Sequence, residues 1–392
     1  MPAETIRLAS RVQKVAPSLT LAIEAKAKQL KQQGQNIISF SAGEPDFDTP
    51  EFIKAKTIES LKKGFTKYTP ASGTLELRKA ISEKLLKENG LSYSPEEIIV
   101  SCGAKHAIYN VIQVLLEEGD ECIFSSPFWL SYPEMVTLAS AKSVVVPTTL
   151  ESGYKMTADQ FERAITPRTK LLIINSPSNP TGAVYSKDEL IQFAEICKKK
   201  SIFILSDEIY EKLIYNGKRH YSIGALVPGV RDLTITVNGA SKSYAMTGWR
   251  MGYAACPKEI AKAVASLQSH STSNPTSFAQ EGFLEGVLHG DSEVERMRLV
   301  FEKRRDLIVD LVSKIPNLKY FKAEGAFYLF CDISAFKMKS LELADKLLEE
   351  AKVAVVPGIA FGDDRTIRLS FATSETNITE GVRRIGEWLA KR

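Results

Sequence analysis

One lysine stands apart from the other cations of this chain. Lys242 lies in segment 238–253, which reads Asn-Gly-Ala-Ser-Lys-Ser-Tyr-Ala-Met-Thr-Gly-Trp-Arg-Met-Gly-Tyr, with Arg250 eight residues further on. The β-branched run 233–237 enters the segment and the small apolar run 253–256 leaves it, so two strands are expected to flank a small-residue turn. An ammonium held partly buried at a sheet edge loses proton affinity, and its free amine is then a nucleophile suited to an aldehyde. A lysine in a loop is far more often a solvated charge. Partners elsewhere in the chain must decide.

Three other segments offer such partners. In Ser101-Cys102-Gly103-Ala104-Lys105 a strand gives way to a helix. Free amides there, with glycine allowing close approach, can hold a phosphate, although a plain strand-to-helix turn explains the segment by itself. The Gly-x-x-x-x-Gly-Lys spacing of a P-loop is missing. Asn175-Ser176-Pro177-Ser178-Asn179-Pro180-Thr181-Gly182 is a stiff loop that points amides at a fixed place, or a mere turn. In Ser206-Asp207-Glu208-Ile209-Tyr210 the carboxylate of Asp207 is equally a helix N-cap or a ligand group at a strand end, with the Tyr210 phenol one helical turn later on the same side. A lysine for an aldehyde, a carboxylate for a ring nitrogen, donors for a phenolic oxygen and a phosphate cradle are together what pyridoxal phosphate requires.

The elements that must position these groups alternate. Runs that fit buried strands are 98–101, 122–125, 144–146, 171–175, 202–206, 233–237 and 252–256, with helices expected at about 104–117, 187–200 and 208–215. Before them come a helix opened by Ser18, a short strand at 37–40 and helices at 51–63 and 74–89. Continuous apolar strands separated by helices indicate an α/β fold with a large, mostly parallel sheet covered on both faces, and ligands bind beyond the carboxyl ends of such strands. After 258 the pattern is mainly helical, at 259–268, 276–289 and 291–314. Short strands follow at 326–331, 353–356 and 366–370, with helices at 341–351 and 378–390. The expected organisation is an N-terminal arm with part of a small domain at 1–48, a large cofactor-binding domain at 49–290 and a small α+β domain at 291–392.

Bulk properties exclude other classes. The 392 residues are 44% hydrophobic and 25% charged, and 51 Lys and Arg against 47 Asp and Glu leave a net charge of +4. That balance suits neither nucleic acid nor a polybasic membrane surface. The five cysteines (Cys102, Cys122, Cys197, Cys256, Cys331) form no Cys-x-x-Cys, and each sits in or beside an apolar run, as expected of reduced residues in a cytoplasmic protein. The four histidines lack metal-ligand spacing. No apolar stretch reaches membrane-spanning length, and Arg7, Arg11 and Lys14 are followed by no apolar block of the kind a secretory signal carries.

Ser-Pro-Ser-Asn-Pro-Thr-Gly, Ser-Asp-Glu-Ile-Tyr and the Lys242 segment resemble those of class I, fold type I, pyridoxal-phosphate aminotransferases, and the likeness runs from about Ser18 to Arg368. It is strongest to the bacterial aspartate aminotransferase subgroup that includes aspartate/prephenate aminotransferases. The resemblance implies that Lys242 forms the Schiff base with pyridoxal 5′-phosphate and that Asp207 partners the pyridine nitrogen. It implies that Tyr210 and Asn179 donate to the phenolic oxygen, and that Arg250, Ser241 and the Gly103–Lys105 turn with its Ala104 amide hold the phosphate. Tyr68 matches a tyrosine that reaches the phosphate from a neighbouring subunit, which implies a homodimer with shared sites. Trp129, by itself more in keeping with the core, matches the aromatic that stacks on the cofactor ring, and Gly43 a loop glycine whose backbone meets substrate.

Substrate follows the same way. Arg368, in Thr-Ile-Arg-Leu-Ser, matches the clamp for an α-carboxylate, although its strand alternation does not decide whether it is buried. Lys105, Ser18 and Thr20 stand where the subgroup holds a distal carboxylate, which favours aspartate with glutamate as counterpart. Ala16 stands where relatives active on prephenate can have lysine, which weakens that alternative. Other rivals are a β-lyase, an aromatic or alanine aminotransferase, and the sensing half of a regulator.

Overall fold

The structure, a computed structural model, describes residues 8–392. Residues 1–7, including Arg7 and the start of the expected arm, lie outside the described residues. A four-residue helix, Ser10–Gln13, precedes the helix Leu19–Gln32, whose first turn is capped by the Ser18 hydroxyl accepting from the Leu21 amide.

Strand β1 (Ile38–Ser39) comes next. Strands β2 (Ile98–Ser101), β3 (Glu121–Ser126), β4 (Lys142–Pro147), β5 (Thr169–Asn175), β6 (Phe203–Asp207), β7 (Thr234–Gly239) and β8 (Gly252–Ala255) then form one sheet, ordered β2-β8-β7-β6-β5-β3-β4. All neighbours are parallel except the two pairs made by β8, with β2 and with β7. Leu171 to Ile174 and Ile204 to Leu205 are buried on both pleat faces, so helices must cover both sides. The carboxyl ends of β2, β3, β5, β6 and β7 and the amino end of β8 therefore share one edge. The register there sets Asn175 beside Asp207, and both Ser101 and Gly239 beside Gly252.

That edge is held by backbone contact. A β-carbon on Gly239 would come within 2.8 Å of the Gly252 Cα and of the Met251 carbonyl, and one on Gly252 would run into the backbone of Gly103 and Ala104. Glycine at both places lets β7, β8 and the start of the helix Ala104–Leu115 pack backbone to backbone.

The chain continues through helices Lys258–Ser269, Ser277–His289 and Asp291–Val312. Strands β9 (Lys319–Phe321), β10 (Tyr328–Asp332), β11 (Val353–Ala354), β12 (Val356–Pro357) and β13 (Thr366–Ser370) follow. An antiparallel sheet runs β12-β13-β10-β9, while β11 pairs in parallel with β1. The helix Glu375–Leu389 packs on Asp291–Val312. One buried apolar cluster is continuous from Ile99 and Leu205 of the large sheet to Phe327 and Trp388.

The expected helix at 208–215 does not form. Its backbone makes three-residue turns, Glu211 N–H to Glu208 and Leu213 N–H to Tyr210, and Leu213 and Tyr215 then bond to Ala326 and Glu324. Pairing with that second segment satisfies the backbone better than an isolated helical turn would, so Asp207 caps no helix and Tyr210 is not placed by helical spacing. The run 353–356 likewise splits between two sheets. Helices Ser131–Leu138 and Ala158–Ala164 and strand β9 were absent from the sequence-based expectation. No helix of the described residues is long and apolar enough to cross a membrane.

Gly252→Ala tests the backbone contact. It should lower stability by about 1–3 kcal/mol through overpacking, read as a fall in the urea midpoint; an unchanged midpoint would show that β8 and the helix start are not in fixed contact.

Candidate active site

A cavity of about 470 Å³ opens over the shared strand edge. The seven-stranded sheet and its connections line it with Ala104, Lys105, Trp129, Asn179, Asp207, Tyr210, Ser241, Lys242 and Arg250, while Thr20, Gly43 and Arg368 come from the N-terminal segment and β13. Twelve of the expected site residues thus meet in one place. Gly103 sits immediately behind, as the N-cap of Ala104–Leu115 with φ of 88°. Ser18 stays outside the lining, with its hydroxyl 3.0 Å from that of Thr20. Tyr68 is apart from the cavity in this chain and 89% exposed.

Lys242 follows β7 in the short helical turn Ala240–Ser243. Its Nζ donates to the Gly43 carbonyl at 2.6 Å, and the Tyr210 and Phe327 rings lie 5.9 and 5.8 Å away. Burial pushes its pKa down to about 8; Glu44 opposes that, while Arg368 and Arg250 assist it. Near neutral pH the amine is therefore still mainly protonated, but a minor fraction is free, far more than for an ordinary lysine.

Asp207 ends β6, is 4% exposed, and accepts from the Tyr132 hydroxyl at 2.6 Å and the Ile209 amide at 3.3 Å. Burial raises its pKa to about 6 in spite of both hydrogen bonds. The Tyr210 hydroxyl lies 2.9 Å from that of Tyr328, and burial keeps this phenol neutral by raising its pKa well above the usual value.

Arg250 adopts a left-handed backbone with φ of 57°. Its Nη1 donates to the Thr247 carbonyl at 2.7 Å. A β-carbon on Gly103 would meet the Arg250 Nη2 at 2.6 Å, so glycine makes room for a guanidinium beside a helix N-terminus. That is an anion cradle.

Arg368 is 2% exposed and faces no carboxylate across its hydrogen bonds: Nη1 donates to Asn179 Oδ1 at 3.0 Å and Nη2 to the Ser41 carbonyl at 2.9 Å. Its Nε is buried without a partner, and its guanidinium lies over the Tyr328 ring at 4.3 Å. A buried cation with an idle donor is costly unless an anion arrives. Lys105 holds its ammonium 5.0 Å from the Trp129 ring centre, and burial and then Arg250 push its pKa down.

Sequence reasoning missed Tyr132, Tyr328 and Glu44. Tyr132 gave one usable signal, a tyrosine three residues after Trp129 whose hydroxyl needs a partner once buried. The residues present fit pyridoxal phosphate. The cradle that a β-carbon at Gly103 would fill, the buried carboxylate of Asp207 and the desolvated amine of Lys242 match its phosphate, its ring nitrogen and its aldehyde.

Comparison with known proteins agrees. The family profile described as aminotransferase class I and II matches residues 35–385. The chain is similar to the probable aspartate/prephenate aminotransferase of Aquifex aeolicus, 50% identical over 96% of this chain and 97% of the relative. It is similar to the aspartate aminotransferase of Bacillus sp. strain YM-2, 49% identical over 97% and 99% respectively. Among solved structures, Thermus thermophilus aspartate aminotransferase with maleate matches with a TM-score of 0.94 and 45% identity, over 98% of this chain and 100% of that one.

The buried carboxylate gives a pH prediction for the cofactor-free protein. With its pKa raised to about 6, Asp207 favours folding below about pH 4, and that contribution is lost as pH rises through 6. Asp207→Asn should therefore be more stable than the parent at pH 8 by roughly 2–3 kcal/mol and no more stable near pH 4. Urea titrations at both pH values decide; an equal difference at the two would mean that burial does not raise this carboxyl.

Proposed function

Because the chain belongs to the aminotransferase class I and II family, we propose that it is an aspartate aminotransferase, a pyridoxal-phosphate enzyme that passes the amino group of L-aspartate to 2-oxoglutarate and yields oxaloacetate and L-glutamate. The observation that carries this is the pair of cations in one cavity, Arg368 with its idle Nε and Lys105 over Trp129. Two such cations favour a substrate with two carboxylates.

When bound, the cofactor supplies an aldehyde carbon and an electron-withdrawing ring. Lys242 would hold that aldehyde, and its amine, once free, would take and carry the proton of the substrate α-carbon. Asp207, its carboxylate oriented by Tyr132, keeps a proton on the ring nitrogen. Asn179 gives its Oδ1 to Arg368, which leaves Nδ2 to donate with Tyr210 to the phenolic oxygen. Arg250, Ser241 and the amides after Gly103 would hold the phosphate, and Trp129 would offer its ring as a stacking face. Arg368 clamps the α-carboxylate beside Gly43, and Lys105, with Thr20 and Ser18, takes the distal one. The order of events is ping-pong, one keto acid leaving before the other binds.

Tyr68, exposed and outside its own cavity, is assigned to the phosphate site of a second copy, a reading in which the working form is a homodimer with shared sites. Residues 49–290 make the cofactor-binding domain, and 291–392 with the described part of 1–48 the small one, a division supported by the seven-stranded sheet falling within the first and the two smaller sheets within the second. All five cysteines are free thiols, in keeping with a reducing cytoplasm. Prephenate, named for the Aquifex relative, is also a dicarboxylic oxo acid, and the same pair of cations suits it.

L-Aspartate added to the pure enzyme with no oxo acid should bleach the visible band and release about one oxaloacetate per subunit. A band that persists with aspartate but bleaches with another amino acid would overturn the substrate; prephenate as acceptor separates the second possibility. Lys105→Ala should cut kcat/KM for aspartate by roughly 30-fold or more, the cost of leaving a buried charge unpaired, and spare alanine. Equal losses on both would remove Lys105 from the distal carboxylate.

A further inference from the structure

The steps above leave two cavity-lining carboxylates unused, Glu24 and Glu44, and only Glu44 is joined to the Lys242–Arg250 segment. Glu44 lines the same cavity as Lys242, Arg250 and Arg368. Its Oε2 accepts from the Thr247 hydroxyl at 2.6 Å, and the Thr247 carbonyl in turn accepts from Arg250 at 2.7 Å. The residue before it, Gly43, gives its carbonyl to the Lys242 Nζ at 2.6 Å. Two consecutive residues of one loop therefore grip both functional ends of the Lys242–Arg250 segment. The loop is itself fixed from behind, by Asp46 paired with Arg304 at 2.6 Å and by the Phe47 ring packed on Phe301 and Arg296.

We propose that Glu44 is a positioning residue that sets when Lys242 carries its proton. The charged groups acting on Lys242 are few: Arg368 and Arg250 drive the proton off, while Glu44 and Asp207 retain it, with Glu44 the strongest of the four. The Tyr210 and Phe327 rings complete the surroundings. Asp207 would be committed to the ring nitrogen with the cofactor in place, so Glu44 is the remaining carboxylate among the main charges acting on Lys242. A base that must take a proton and give it back works best with an affinity near the working pH. Burial and two cations lower the proton affinity of Lys242, and Glu44, anchored on the Thr247 hydroxyl, opposes them. The carbonyl of Gly43 adds direction, since it aims the amine while the neighbouring carboxylate holds its charge.

The inference rests on Lys242 being the lysine that joins the cofactor, and the test separates the two. In the cofactor-free full chain, reductive methylation of Lys242 by formaldehyde and cyanoborohydride, followed by peptide mass spectrometry across pH, reports the midpoint at which its amine becomes free. Glu44→Gln should move that midpoint down by about half a pH unit or more. Glu44→Asp, which keeps the charge, should restore most of it. Glu24→Gln removes a second carboxylate of the same cavity, one that acts on Arg368 and is not among the main charges acting on Lys242, and should leave the midpoint in place. An unmoved midpoint in Glu44→Gln, or an equal movement in Glu24→Gln, overturns the role of Glu44. In the cofactor-loaded protein the pH midpoint of the visible band should move the same way. Absence of any band in the parent protein overturns instead the assignment of Lys242.

Discussion

Between Gly239, Gly252 and the turn at Gly103 there is no space for a β-carbon. That contact brings two strand ends and a helix start to backbone distance, and the functional groups take their positions from it. Ser241 and Lys242 follow Gly239 at two and three residues, Arg250 stands two residues before Gly252, and the amides of the helix Ala104–Leu115 begin just after Gly103. Nearly all that would hold an anion is thus built on backbone, with one guanidinium added. A scaffold of this kind does not rely on side-chain rotamers to stay in register.

The cavity is also a place where charge is kept unbalanced. Lys105, Lys242 and Arg368 are desolvated, and across its hydrogen bonds Arg368 meets only an amide and a carbonyl oxygen. Asp207 is the opposite case, a carboxylate held under a phenol with no cation in hydrogen-bond contact. Each of these costs folding free energy. In the function proposed above, an α-carboxylate would relieve Arg368, a second carboxylate Lys105, and a protonated ring Asp207. Sites that bind and turn over ligands store destabilisation in this way, and the perturbed proton affinities of Lys242 and Asp207 are its visible trace.

Much of this was legible in the sequence because the parallel strands are apolar throughout and each ends in an unusual polar group. Strands 98–101 and 366–370 and the helix 187–200 were placed to the residue, since sharp turn or capping residues bound them. The helix expected at 208–215 failed because its backbone finds partners 110 or so residues away, which no local periodicity records. Arg368 shows the same limit at a site residue. Alternation in Thr-Ile-Arg-Leu-Ser could not tell a solvent face from a buried one, because both faces of β13 are covered. Tyr132 and Glu44 escaped notice for a related reason: their roles lie wholly in contacts with residues far along the chain.

The pairing of β1 with β11 has a mechanical side. The Phe40 amide bonds to the Ala354 carbonyl, the Phe40 carbonyl receives the Ser370 amide, and Arg368 reaches the Ser41 carbonyl. The strand that leads into Gly43 is therefore riveted to the strand that carries Arg368. Lys242 and Asp207 belong to a different frame, the seven-stranded sheet. The spacing between Arg368 and Gly43 is thereby fixed, and any rotation of this lever against the large sheet would be felt where the two frames touch: at the Gly43 carbonyl on Lys242, Glu44 on Thr247 and Arg368 on Asn179.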